Sequence, residues 1–241
     1  MRITADYKPH VRISGSDGVD FYSLSRFDKN PERILSLQSE IDQWCSTQRE
    51  WLDAAPRTKN YFIIGNHEDR LRKWLWKHPE LSSLSCLSLD NLFRFKELKI
   101  QLAENEGQEV NFFDQLVITH GTTVRKWSGY TARGEAEKRR YSVSVMTGHT
   151  HRGGMFCTTV RDRPTYALEC FCLCSLSPEY MYAPDWQQGI VFAEVDKDYV
   201  SFDMIPFQVV RGKYTARWRG KEYRAEAMWH IFTARCVFTK R

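Results

Sequence analysis

The sequence predicts one α/β domain with a β-rich second half. Three observations carry this reading. Residues 30–79 run helix, strand, loop, helix. Three separate apolar stretches each end in a glycine-flanked histidine. From about residue 155 the pattern turns to alternation broken by turn residues. A length of 241 residues allows one substantial core and does not require a second domain.

The helix is expected over "NPERILSLQSEIDQWCSTQREWLDAAP", with Asn30 as its cap, Pro31 in its first turn and Pro56 as its stop. Ile34, Leu37, Ile41, Trp44 and Leu52 lay one apolar stripe along it. "YFIIGN" follows as a short continuous apolar strand of the kind buried on both faces, and "HEDRLRKWLWKHPEL" opens a second helix. "NFFDQLVITHG" reads as another strand, "GEAEKRRYS" as a surface helix, and "YSVSVMTGHTH" as a strand running into glycine and histidine. Beyond these, "TYALECFCLCSL", "QQGIVFAEVDKDYVSFDMIPFQVV" and "GKYTARWRGKEYR" alternate, with turns at Asp196–Asp198, Gly212 and Gly220.

Composition narrows the class. Apolar residues make up 42% and aromatic residues 14%, which suits a packed core and excludes a disordered chain. Mean hydropathy is -0.53 and no long apolar run is present, so no transmembrane helix and no membrane partner are expected. The start "MRITADYKPHVRI" lacks the apolar region of a secretory signal, so the expected location is cytoplasmic. A net charge of +5 is compatible with an anionic partner without demanding one. Seven cysteines is an odd count with no C-x-x-C pair, so neither a disulfide partner nor a zinc ribbon is expected. Cys170, Cys172 and Cys174 share one face if "ECFCLC" is a strand, and they read as small buried hydrophobes.

The chemistry concentrates in the strand-end loops "GNHE" (65–68), "THG" (119–121) and "GHTH" (148–151). One such histidine is usually structural. Three are different, because strand C-terminal ends in α/β sheets converge on one crevice. Several imidazoles with amide and carboxylate oxygens around one point suit a borderline divalent ion. Asp17 and Asp20 of "SDGVD", after the short strand "VRIS", offer the anionic ligands.

"SDGVD", "GNHE", "THG" and "GHTH", in this order, resemble the motif blocks of the calcineurin-like metallophosphoesterase superfamily. "VDFYSLSRFDKNPERI", "GNHEDRL" and "SLSPEYMYAPDWQQGI" resemble its phage- and prophage-associated branch, and the resemblance spans about residues 7–195. It implies a four-layer α/β/β/α sandwich and a hydrolase acting on phosphodiester or phosphomonoester bonds at two divalent ions drawn from Mn, Fe, Zn or Ni. Carried over residue by residue, Asp17 bridges both ions. Asn66, His120 and His149 complete one shell, and His151 serves the other. His67 is the acid for the leaving oxygen, a role suited to imidazole. Asp20 and Glu68 orient histidines.

The sequence also departs from that family. Members open with a D-x-H block upstream of G-D-x-x-D, whereas only sixteen residues precede Asp17, and "DYKPH" has the wrong spacing. The expectation is therefore a sandwich whose first strand is missing, with "YKPHVRISGSDGVD" aligned to the second. Ser16 stands where the family has glycine, and "VRIS" is less apolar than a buried strand should be. One ion keeps a full shell. The other keeps only Asp17 and His151, so that site is weakened. Loss of a central strand exposes backbone groups of its neighbours.

"VRKWSGYTARGEAEKRR" (124–140) interleaves Arg125, Lys126, Arg139 and Arg140 with Trp127 and Tyr130, a mixture that suits a nucleic-acid backbone and its bases. DNA or RNA is the leading phosphoester substrate. Residues 1–208 read as the phosphoesterase domain and 209–241 as a basic β extension of it. Two readings stay open. One is a metal-dependent phosphoesterase, a nuclease or phosphodiesterase. The other is an N-terminally incomplete, weakly active or inactive relative that works as a nucleic-acid-binding module.

Overall fold

The computed structural model describes residues 1–15, 17–30, 36–178, 180–226 and 236–240, the last group by its backbone alone. The chain runs α1 (Arg2–Tyr7), β1 (Val11–Ser14), α2 (Leu37–Ala54), β2 (Lys59–Phe62), α3 (Glu68–Lys77), the short α4 (Leu89–Leu92) and α5 (Phe95–Leu98), and β3 (Ile100–Leu102). The turn α6 (Glu104–Gly107) leads to β4 (Glu109–Phe112), β5 (Leu116–Thr119), α7 (Tyr130–Lys138), β6 (Ser144–Thr147), β7 (Gly153–Val160) and β8 (Arg163–Cys170). The rest is β: β9 (Gly189–Val195), β10 (Val200–Pro206), β11 (Gln208–Val210), β12 (Lys213–Trp218), β13 (Lys221–Glu226) and β14 (Cys236–Lys240). The fold is mixed α/β with several sheets.

The strands form a six-stranded sheet in the order β10-β9-β14-β1-β2-β3, a five-stranded sheet in the order β4-β5-β6-β8-β7, and a small sheet β11-β12-β13. Ile13 and Val191 of the first sheet meet Ile118, Met146 and Leu168 of the second in a buried core. A second cluster packs Trp44 of α2 and Leu71 of α3 with Phe62, Phe93 and Phe95. Ala132 and Ala136 of α7 pack with Val145 and Ala167 of the five-stranded sheet. Strands β1, β2 and β3 run parallel, as do β5, β6 and β8. Every strand-end loop named above therefore leaves a parallel strand at its C-terminal end, which is where such sheets gather ligands.

Several expectations need correction. The residues 31–35 within the expected helix start lie outside the described residues. Helix α2 itself begins at Leu37, capped by Ser36, whose hydroxyl accepts from the Ser39 N–H. "NFFDQLVITHG" is not one strand but the hairpin β4–β5. Phe113 and Asp114 both turn left-handed, at φ 54° and 53°, and the Asn111 and Asp114 side chains bond across the turn. Helix α7 starts earlier than "GEAEKRRYS", and Thr131, Ala132, Glu135 and Ala136 are buried, because one face of it lies on the sheet. Strand β8 stops at Cys170, where Phe171 turns left-handed at φ 64°, so the alternation expected through Cys174 ends there.

The gap expected beside "VRIS" is also filled. β14 lies between β1 and β9, antiparallel to the first and parallel to the second. It pairs the backbone groups on that side of β1. The polar character of β1 has a local cause. Arg12, 2% exposed, donates to Asn60 Oδ1 at 2.7 Å and Gln48 Oε1 at 2.8 Å, and its guanidinium faces the Trp51 ring. No helix among the described residues is long and apolar enough to cross a membrane.

Glu135 ties α7 to the loop after β5. Its carboxylate accepts from the Thr122 and Thr123 N–H groups at 2.9 and 2.8 Å and from Lys138 at 2.8 Å. Burial pushes its pKa up, but the Lys138 ammonium and the loop N–H groups outweigh that and hold it at about 2. A depressed pKa contributes stability above the unfolded value near 4.5, and that stability is lost as pH falls toward 2. Glu135→Gln is therefore expected to be less stable than the parent at pH 6, with the difference shrinking by pH 3. Urea midpoints at the two pH values check this. A difference independent of pH would contradict it.

Candidate metal centre

Asp17, Asn66, His120 and His149 meet at the strand ends. His120 Nε2 stands 2.7 Å from Asn66 Oδ1 and 2.9 Å from His149 Nδ1. Asp17 Oδ1 lies 3.9 Å from the same ring nitrogen, and Asp17 is 1% exposed. The ligand atoms of Asp17, His120 and His149 all lie within 4.8 Å of one another. An ion bonded at ~2.1 Å holds neighbouring donors about 3 Å apart, the scale seen here. Two ring nitrogens and two oxygens crowd a single point, and two imidazole nitrogens in contact have one shared proton to offer each other. A divalent cation satisfies all of these donors together, so the donor set fits one. The structure thus contains buried groups able to hold a metal.

Local backbone builds this convergence. Asp17 sits at φ 51°, which swings its carboxylate off the end of β1. Gly121 follows His120 at φ 84°, where a Cβ would stand 2.7 Å from Thr147 Oγ1 at the end of β6. Only glycine lets β5 and β6 release their histidines so close together. Glu68, fully buried, accepts from Gly18 N–H and Gly65 N–H at 2.8 Å and from Asp17 N–H at 3.1 Å. Its task here is to join the Asp17 loop to the Gly65 loop by their backbones, not to orient a histidine as expected. Burial and the Asp17 charge push its carboxyl well above the ordinary range.

His67 sits beside this group at the start of α3, its N–H 3.4 Å from Asp17 Oδ1. Its Nδ1 is 3.0 Å from Asp20 Oδ1, and its Nε2 is 3.3 Å from Arg70 Nη2. Burial opposes its charge, but Asp17 and Asp20 outweigh burial and Arg70 together and hold the imidazole above its usual value. Asp20 thus lies within ion-pair distance of the His67 ring. It also receives Arg70 at 2.5 Å.

His151 is placed apart from the His120–His149 pair. Its Nε2 is 4.0 Å from Asp17 Oδ2, and its Nδ1 is 3.2 Å from Cys174 Sγ. The GHTH loop is held by Glu169, which accepts from Thr150 Oγ1 at 2.9 Å and from the Gly129 and Thr131 N–H groups.

The four basic residues of the 124–140 segment differ in their surroundings. Arg125 and Lys126 are exposed, their carbonyls docked on the buried Arg152, and Trp127 beside them is 63% exposed. Arg140 is exposed at the end of α7. Arg139 is engaged with Glu109 at 2.8 Å and Glu135 at 3.8 Å, so its charge is already answered within the fold.

The sequence reading missed a groove of about 740 Å³ next to Asn66. Arg26, Arg70, Lys73 and Lys77 line it with Phe27, Trp74 and Trp76. The spacing of Arg70, Lys73, Trp74 and Lys77 at three and four residues on one helix was the available signal. The sequence reading also left Cys172 and Cys174 as core filling, whereas they stand with His151. Compared with known proteins, the chain matches no family model and no curated protein.

Proposed function

We propose that the chain is a metal-dependent phosphoesterase of the calcineurin-like type that cleaves phosphodiester bonds in single-stranded nucleic acid. The observation that carries this reading is the meeting of Asp17, Asn66, His120 and His149 within ion-binding distance at parallel strand ends. Two sheets packed face to face, with helices on their outer sides, support a four-layer α/β/β/α arrangement.

Asp17, Asn66, His120 and His149 would hold the ion. A bound divalent ion supplies Lewis acidity toward phosphoryl oxygens and lowers the pKa of water. The chain's own residues do the rest. Arg70 reaches from α3 toward His67 and neutralises phosphate charge at the crevice. His67, positioned by Asp20, gives its proton to the leaving oxygen. Arg26, Lys73 and Lys77 follow the backbone of the strand, while Phe27 and Trp76, 64% and 66% exposed, offer faces for bases to stack on.

The test uses two substrates with Mn(II). p-Nitrophenolate leaves without a proton, so bis-p-nitrophenyl phosphate needs the acid little, whereas an oligonucleotide needs it fully. His67→Ala is expected to slow oligonucleotide cleavage by about 10²–10⁴-fold and the activated ester far less. Equal losses on both substrates would remove the acid role. A parent with no Mn-dependent turnover of either substrate would overturn the reading in favour of a binding module. That second reading has support of its own in the groove, and it expects single-stranded DNA affinity to fall steeply with salt.

A further inference from the structure

We propose that His151, Cys172 and Cys174 form a second, thiolate-rich site for a divalent cation of the zinc class, adjoining the Asp17 group. The three side chains are buried, and their ligand atoms all lie within 4.8 Å of one another. Cys174 Sγ is 3.2 Å from His151 Nδ1. A tetrahedral ion bonded at ~2.3 Å to sulfur and ~2.0 Å to nitrogen separates those atoms by about 3.6 Å, so a small shift admits it.

The backbone is built to bring the two sulfurs there. After β8 the chain leaves the strand at Phe171, whose ring fills the space that a Cβ on Gly153 or Gly189 would need. The Cys172 N–H donates to Gln187 O at 3.0 Å, and its carbonyl accepts from Gly189 N–H at 3.1 Å. The Cys174 carbonyl accepts from Gln188 Nε2 at 2.6 Å. On the histidine side, His151 is left-handed at φ 62°, its carbonyl accepts from Gln187 N–H at 3.0 Å, and the Trp186 ring covers it with centroids 4.2 Å apart.

Buried cysteines are ordinarily small hydrophobes. Cys170 fits that description: it is buried in the core between the sheets and outside the group. Cys172 and Cys174 differ, because they share an imidazole. Two thiolates with one imidazole select zinc-like ions over Mg or Ca, and three protein ligands leave a fourth position open. Asp17 Oδ2, 4.0 Å from the other nitrogen of His151, borders that position. Each thiol gives its proton to solvent as it coordinates, so binding strengthens with rising pH. The two sulfurs also add protein ligands to an ion that would otherwise have only His151 and Asp17 beside it. The assignment stands on this cluster and survives if the phosphoesterase reading fails.

The experiment is cobalt(II) titration of the metal-free full chain carrying Cys86→Ser and Cys157→Ser, which removes the two thiols that are exposed among the described side chains. Thiolate-to-cobalt charge-transfer absorption in the near ultraviolet is expected, saturating at one equivalent per chain. Cys172→Ser with Cys174→Ser loses that band and one equivalent, while His149→Ala keeps the band. A starting chain that binds cobalt without the band overturns the proposal, whether or not the cysteine variants fold. A band that survives both cysteine replacements overturns it too. Turnover is not read, so an inactive chain with the band intact counts against the phosphoesterase reading alone.

Discussion

Asp17→Asn is expected to abolish tight metal binding at the Asp17–Asn66–His120–His149 group and to lower Mn-dependent turnover by on the order of 10³-fold or more. The variant isolates charge from shape. Asp17 is held at φ 51°, a conformation that asparagine tolerates nearly as well, so the loop after β1 has no reason to rearrange. Its N–H still reaches Glu68, and its side chain still offers one oxygen. What disappears is the one negative charge among neutral donors, in a pocket where the residue is 1% exposed. Calorimetric metal titration beside bis-p-nitrophenyl phosphate turnover checks both halves. Full affinity with full turnover in Asp17→Asn would remove Asp17 from the site.

Ending the chain after Glu226 is expected to have the largest effect on stability. β14 pairs with β1 through Val11–Ser14 and with β9 through Val191–Glu194, so its loss opens the middle of the six-stranded sheet. Each buried polar group left unpaired costs about 1–3 kcal/mol, against a whole-domain stability of about 5–15 kcal/mol. Cooperative unfolding should vanish or its midpoint fall by tens of degrees, and the two open edges should promote aggregation. Thermal unfolding followed by circular dichroism, with the soluble yield, measures it. A truncated chain that unfolds at the parent's temperature would show that β1 and β9 do not need this neighbour.

What was readable in the sequence follows from the range of the forces involved. The apolar runs before Asn66, His120 and His149 announced their strands, and glycine beside each histidine announced the turns. The hairpin at 113–115 was hidden, because phenylalanine does not advertise a left-handed conformation, yet Phe113 adopts one. The same holds at Phe171. Alternation placed Cys170, Cys172 and Cys174 on one face, and a single left-handed residue moved two of them to His151. The start of α2 was misplaced because Asn30–Pro31 and Ser36 both carry capping chemistry, and the Ser39 N–H meets Ser36. β14 could not be placed, since no local pattern says which distant strand a segment will join.

The position of β14 also governs how the molecule is made. Val11 takes Thr239 as its partner, so β1 waits for a strand that leaves the ribosome much later. Joining such distant segments carries a large loop-closure entropy and slows folding. Until then a nascent chain holds two half-sheets, and a chaperone that shields them during translation would raise the yield of native protein more than one added after release.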